Sequence, residues 1–266
     1  MKTGEKFTGT VGFLGFGNMA MAIADGLLLT GFDASRLWAS ARDPEKLSEN
    51  TLARGIHAAG DNGELVAKSD LVVVAVKPHL VRSVLEPLRE ELRGKVLVSL
   101  AVGLSLADYD FLEGVEVLIT LPNTPMAAAK GTLIVSEEHS LTAASLEGVL
   151  ALFEGISRPV MVPKDEMSVA GTLTGCGPAF AAMFLEALGD GAVRYGLSRK
   201  LAYELAAAML EGTAALHLQK GTHPGAMKDA VTSPGGTTIR GVAALEAANF
   251  RHAVISAMDA IEGKNA

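Results

Sequence analysis

The run Val11-Gly12-Phe13-Leu14-Gly15-Phe16-Gly17-Asn18-Met19-Ala20 constrains the fold more than any other stretch of the chain. Thr10 to Leu14 is short and apolar, as a buried strand must be, and Met19 to Leu29 carries a helical pattern. Between them the glycines stand at G-x-G-x-x-A spacing. Gly15 suits a turn too tight for a side chain, Gly17 leaves the backbone bare, and Ala20 lets the helix approach the strand. Strand, glycine turn and helix in that order open a βαβ unit and predict a parallel sheet.

The alternation continues to Pro163. Arg36 to Ser40, Leu71 to Val76, Val96 to Ala101 and Val115 to Leu121 read as strands, with shorter ones at Leu133 to Val135 and Val160 to Val162. Helices are expected from Pro44 to Ala53 and from about His79 to Leu92. Continuous aliphatic strands call for cover on both faces, so the first part is a doubly wound α/β sheet. Past Pro163 the pattern changes. Ala179 to Tyr195, Lys200 to Lys220 and Thr237 to Ile261 read as helices, and no convincing strand follows. The expected division is a tail at 1–9, a sheet domain at 10–163 and a helical domain at 164–266.

The helix from Ala179 is apolar nearly all round until Glu186 and Asp190. Such a helix wants burial, which a small helical domain can hardly provide alone; a second copy of the chain would supply the cover. In the last helix Ile239, Val242, Ala243, Phe250, Ala253, Val254, Ala257 and Ile261 share one face. Glu246 interrupts it, either as a partnered charge at the edge or as a group near an active site.

Composition narrows the function classes. The chain has 266 residues, a net charge of −7 and only 5% aromatic residues. An acidic chain without a basic block fits neither nucleic acid nor an anionic membrane. Cys176 is the only cysteine, so no disulfide forms within the chain, and a reducing, cytoplasmic setting is expected. The six histidines lack metal-ligand spacing. Met1 to Thr10 is polar with no secretory stretch, and the aliphatic run Leu71 to Val76 is too short to span a bilayer. No membrane and no metal are expected.

Two loops carry chemistry. After the first strand, a glycine turn at a helix N-terminus suits a pyrophosphate. The second strand then ends in Ser40, Ala41 and Arg42 rather than in the carboxylate that bonds the ribose of NAD. A hydroxyl and a guanidinium suit a 2′-phosphate, so NADPH is favoured, with NADH the second choice. Asp43 competes with Arg42 for the nucleotide but precedes Pro44 and fits a helix cap. Lys77, in Ala75-Val76-Lys77-Pro78, either faces the cofactor or is a solvated loop charge. Pro122-Asn123-Thr124-Pro125 is a turn at a strand end. The second loop is Val231-Thr232-Ser233-Pro234-Gly235-Gly236-Thr237-Thr238, just ahead of the last helix. It presents backbone N–H groups and hydroxyls together, which suits a small carboxylate. Thr237 and Thr238 could alternatively serve only as hydroxyl caps.

Together these segments resemble the pyrroline-5-carboxylate reductase family. The landmarks are Gly15-Phe16-Gly17-Asn18-Met19-Ala20, Ala75-Val76-Lys77-Pro78-His79, Pro122-Asn123-Thr124-Pro125, Gly175-Cys176-Gly177-Pro178-Ala179-Phe180 and, as the signature, Thr232-Ser233-Pro234-Gly235-Gly236-Thr237-Thr238. The resemblance implies a Rossmann domain, then a helical dimerisation domain, in dimers that often join into decamers. It implies NADPH contacts from Gly15, Phe16, Gly17, Asn18, Met19, Ser40, Arg42, Asn62, Ala75, Val76 and Lys77. It puts the substrate carboxylate at Ser233, Gly235, Gly236, Thr237 and Thr238, with the Thr238 hydroxyl beside the ring nitrogen as the catalytic group.

The implied reaction reduces the C=N bond of 1-pyrroline-5-carboxylate to L-proline. The alternatives are a reductase of another cyclic imine carboxylate and a non-catalytic NADP-binding regulator. This chain departs from the family pattern at Thr120 and Leu121, where Arg-Met is common, and at Gly171, where threonine is usual. It departs also at Lys164, where glutamate is usual, and in Thr174-Gly175-Cys176-Gly177-Pro178-Ala179-Phe180, where the family has Ser-Gly-Ser-Gly-Pro-Ala-Tyr. Cys176 is expected as a small stand-in for serine rather than a nucleophile, since no histidine base accompanies it.

Overall fold

The computed structural model describes residues 7–263, so most of the N-terminal tail read from the sequence lies outside them. The chain divides into two compact units, the first ending at Gly175 and the second starting at Cys176.

In the first unit the strands are β1 (Val11–Leu14), β2 (Leu37–Ser40), β3 (His57–Ala58), β4 (Leu71–Val74), β5 (Val96–Ser99), β6 (Glu116–Pro122), β7 (Gly131–His139) and β8 (Ser157–Val162). They form one sheet in the order β3-β2-β1-β4-β5-β6-β7-β8. Pairing is parallel from β3 to β6. The sheet is parallel as expected except at β7, which runs antiparallel to β6. A parallel return needs a long crossover. Here a single 3₁₀ turn, Thr124–Ala128, ends at Ala129 with φ +53° and reverses the chain at once. β8 is again parallel to β7.

Helices α1 (Asn18–Leu29), α2 (Pro44–Leu52), α3 (Asn62–Ala67), α4 (Val81–Leu85), α5 (Ala143–Glu154) and α6 (Met167–Gly171) belong to this unit. Asp43, Asp61 and Thr142 cap α2, α3 and α5 by accepting from the third residue onward. The helix expected from His79 to Leu92 is instead broken into a 3₁₀ turn at Pro78–Leu80, the short α4, and another 3₁₀ turn at Glu86–Leu88. Pro87 causes the break, because it has no N–H to give and its ring collides with the preceding turn. Alternate side chains of the strands feed two cores. Phe13, Val73 and Val98 pack with Ile23 and Phe153 on one face. Leu14, Val72, Val74 and Leu97 pack with Leu65 and Leu85 on the other.

The second unit consists of α7 (Gly177–Arg194), α8 (Arg199–Lys220), α9 (Pro224–Ala230), α10 (Thr237–Ala247) and α11 (Phe250–Glu262). A single final helix was expected; two are present. Asn249 sits at φ +57°, a left-handed conformation that its short amide tolerates, and it turns the chain between α10 and α11. Gly189 of α7 admits the Tyr203 ring of α8 so closely that a Cβ would stand 2.3 Å from Tyr203 Cε1. Phe184 and Phe250 join α7 to α11 with ring centroids 5.6 Å apart.

Interior is scarce in this unit. α7, expected to be buried, has only Gly189 buried within the chain. Met183 is 69% exposed, and Leu205, Met209, Phe250 and Val254 are exposed as well. The helical stretch Lys164–Arg194 is long and apolar enough to cross a membrane by length and composition alone, a test that the packed helix of a soluble protein also passes. Glu246 is a partnered charge: its Oε1 accepts from Arg251 Nε at 2.7 Å.

Candidate active site

In a doubly wound sheet, ligands bind beyond the carboxyl ends of the strands where the strand order reverses. That point lies here between β1 and β4, which run side by side. The chain leaving β1 is held from both sides: Gly15 N–H donates to Ser40 O at 3.0 Å, and Ala75 N–H donates to Leu14 O at 2.9 Å. Gly15 takes φ +92°, and a Cβ there would meet Val76 Cγ1 at 2.9 Å and Ala75 O at 3.1 Å. Both the turn and the close approach therefore demand glycine. At Gly17 the opposite holds, since a Cβ would touch nothing within 4 Å. Gly17 is also the N-cap of α1, with no side chain capping the helix and no acidic residue in the first turn. The amides of Asn18 and Met19 lie in the uncapped first turn at the positive end of the helix, an arrangement that holds a phosphate. Phe16 is buried against Phe13 and takes part in the core rather than lining open space.

At the end of β2 the polar groups are sorted. Ser40 is 2% exposed, and its hydroxyl donates to Asn62 Oδ1 at 2.8 Å. Asp43 turns back onto α2, where it accepts from Lys46 N–H at 3.1 Å. The sequence left open whether Asp43 or Arg42 faces a nucleotide; the cap occupies Asp43. Arg42 is exposed and has no hydrogen bond or ion pair among the described residues. The strand end therefore offers an exposed guanidinium beside a hydrogen-bonded hydroxyl and amide. At the end of β4, Ala75 and Val76 are half-buried, and Lys77 is exposed at the head of the Pro78–Leu80 turn.

Asn123, read only as a turn residue, has a larger part. It is 6% exposed; its Oδ1 accepts from Thr132 N–H at 2.8 Å and its Nδ2 donates to Thr174 O at 3.0 Å. It ties the end of β6 to β7 and to the π-helical turn Thr172–Cys176. A buried Asn between two prolines at a strand end was the signal available for this role. The departures at Leu121 and Gly171 belong together, for a Cβ at Gly171 would lie 2.6 Å from Leu121 Cδ1. Lys164 pairs with Glu138 at 3.2 Å. Cys176 is a half-buried free thiol at the N-cap of α7.

In the second unit, α10 begins at Gly236, whose N–H donates to Ser233 O at 3.0 Å. Gly235 takes φ +69°, and a Cβ on Gly236 would stand 2.4 Å from Ser233 Oγ. These two glycines fold the loop tightly enough to bring Ser233 under the helix start. The hydroxyl-cap reading of the threonines does not hold. The N-cap is Gly236, no side chain caps α10, and Thr237 and Thr238 follow it as exposed first and second helical residues. Neither hydroxyl has a partner among the described residues. Free amides, two free hydroxyls and the helix dipole together make a seat for a carboxylate.

A relative from Treponema pallidum, a pyrroline-5-carboxylate reductase, is 45% identical over 94% of this chain and 97% of its own. The chain belongs to the pyrroline-5-carboxylate reductase family. A second relative of that description, from Methanosarcina acetivorans, is 35% identical over 93% of both chains. The family profile for pyrroline-5-carboxylate reductase dimerisation matches residues 164–266, and one described as NADP oxidoreductase, coenzyme F420-dependent, matches 10–103. Among solved structures, pyrroline carboxylate reductase of Plasmodium falciparum with NADP bound superposes with a TM-score of 0.85 at 26% identity, covering 97% of this chain and 98% of that one. The Rossmann-like sheet and helical second unit expected from the sequence are those of the family. The uncovered apolar surface of α7 and α8 falls within the residues that the dimerisation profile matches.

Proposed function

We propose that this protein reduces the C=N bond of 1-pyrroline-5-carboxylate to give L-proline, using NADPH. The observation that carries the reading is the start of α10, where unbonded amides and the free hydroxyls of Thr237 and Thr238 stand together behind a glycine N-cap. Family membership supplies the chemistry such a seat serves.

The first unit binds the dinucleotide. Asn18 and Met19 amides take the pyrophosphate, with Gly15 and Gly17 leaving the room it needs. Arg42 takes the 2′-phosphate, with the hydrogen-bonded Ser40 and Asn62 beside it; Ala75, Val76 and Lys77 border the other half. Bound there, the reduced dinucleotide supplies a hydride to the imine carbon. The second unit holds the substrate: the backbone from Gly235 to Thr238 and the Ser233 hydroxyl grip the carboxylate. Thr238 hydrogen-bonds the ring nitrogen and relays to it the proton that balances the hydride. A protonated cyclic imine is already a strong acceptor, so alignment and electrostatics are the protein's main tasks.

A homodimer follows from the apolar helices of the second unit, which a single chain leaves open to water; assembly into decamers extends the same proposal. The lone thiol and the need for a reduced dinucleotide suit the cytoplasm. The deciding experiment follows absorbance of NADPH with 1-pyrroline-5-carboxylate, then with NADH, then with a six-membered ring imine. Oxidation of NADPH that depends on the five-membered imine is expected. A larger rate on the six-membered ring would reassign the substrate, and no imine-dependent oxidation would reject the enzyme altogether.

A further inference from the structure

A buried polar knot lies at the ends of β5 and β6, and no step above uses it. Ser99, the last residue of β5, is wholly buried, and Tyr109 is 2% exposed. Their hydroxyls are hydrogen-bonded to each other. Ser99 Oγ also accepts from Ala101 N–H at 3.2 Å, and Ser99 O accepts from the buried Thr120 hydroxyl at 3.2 Å. Three hydroxyls in an otherwise aliphatic core would be costly unless bonded, and here each is. Burial pushes the Tyr109 phenol above its ordinary value of 10.0, so the knot stays uncharged at working pH.

These bonds fix the course of the chain as it leaves β5. Leu100 N–H donates to Val74 O at 3.0 Å, which lays the turn against the end of β4. Ala101 is buried, Val102 is 69% exposed at the tip, and Gly103 follows at φ +85°. A dinucleotide with its pyrophosphate at α1 and its adenosine ribose at the end of β2 extends its other half over β4 and β5. We infer that the Ser99–Tyr109 pair positions the nicotinamide for hydride transfer, by anchoring through the Ala101 amide the turn on which the ring rests. Neither side chain touches the reacting atoms. The inference rests on the reductase reading given above.

The test uses Tyr109→Phe, which keeps the ring and removes one hydroxyl, and Ser99→Ala, which removes the acceptor from the other side. In ligand-free protein, hydrogen exchange of the peptide covering 100–104 should quicken by about threefold or more in both. The single-turnover rate of NADPH oxidation should fall by roughly tenfold, since small misplacements slow an aligned transfer. The dissociation constant of NADPH should stay within about twofold, because the groups proposed to hold its phosphates are unchanged in both variants. A wild-type protein that never oxidises NADPH with the imine defeats the reductase reading itself. With an active wild type, unaltered rates in folded variants overturn the anchoring role, and so does a slowed reaction without faster exchange.

Discussion

The Ser40 hydroxyl donates to Asn62 Oδ1 over 2.8 Å, which leaves the Asn62 NH₂ to donate elsewhere. Asp43 is engaged at the N-terminus of α2, where its carboxylate accepts from Lys46 N–H. Arg42, two residues beyond Ser40, is exposed and supplies a formal positive charge at the same strand end. Arg42→Ala should weaken NADPH by about 1.5–3 kcal/mol, tenfold or more in the dissociation constant, the worth of a charged hydrogen bond. NADH should be nearly untouched. Fluorescence titration with each cofactor reads the difference, and equal losses would remove Arg42 from the 2′-phosphate site.

Gly15 and Gly17 sit two residues apart and should fail in different ways. Gly15→Ala brings a Cβ to 2.9 Å from Val76 Cγ1 at a φ of +92°, so it should lower the melting temperature. Gly17→Ala meets nothing within 4 Å and should leave the melting temperature of the ligand-free protein unchanged. It should nevertheless abolish most of the protection NADPH gives against thermal unfolding, because the added methyl stands where the pyrophosphate must approach. Full protection of the Gly17 variant by NADPH would move the pyrophosphate elsewhere.

Legibility in the sequence followed the range of the interactions involved. The glycine turn, the strand end at Ser40 and the loop to Thr238 are set by neighbours in the chain, and each was readable. The Asp43 cap was readable too, from Asp before Pro44. What escaped reading depended on remote partners or on a single residue overriding a period. Pro87 stops a helix that apolar spacing alone would continue, and Asn249 turns a chain whose apolar face runs straight through. The direction of β7 is fixed by the tight turn at Thr124–Ala128, not by its own residues. Asn123 contacts Thr174, fifty-one positions away, and Tyr109 meets Ser99 across a turn; no local pattern announces either bond.

Acid should reveal a tie between β1 and β4. Asp70 accepts from Thr10 N–H at 2.8 Å and from the Thr10 hydroxyl at 2.9 Å. These bonds, the backbone amide foremost, hold the Asp70 carboxyl below its ordinary value of 3.8. A lowered folded pKa adds stability above the unfolded value, and that stability is lost as pH falls through the lower folded one. Asp70→Asn should therefore melt below wild type at pH 7, by a stability loss of about 1 kcal/mol, kept small by solvent around an exposed carboxylate. The gap should close as pH drops below about 4. Melting curves from pH 7 to pH 3 test this, and a gap that stays constant would show that the ionised carboxylate is not its source.

Thr238 offers the sharpest separation of chemistry from structure. Its hydroxyl is exposed and bonds nothing among the described residues, while Gly236 rather than any threonine caps α10. Thr238→Ala therefore removes no fold-stabilising hydrogen bond, and alanine suits a helix at least as well as threonine. Melting temperature should hold or rise slightly. Turnover should fall by roughly 10²-fold, the low end for a positioned proton donor, and Thr238→Ser should restore most of it. The loss should appear in kcat more than in KM, because the carboxylate keeps its amides and the Ser233 hydroxyl. If steady-state kinetics of the alanine variant match wild type, the ring nitrogen takes its proton from another source and Thr238 is only the second residue of a helix.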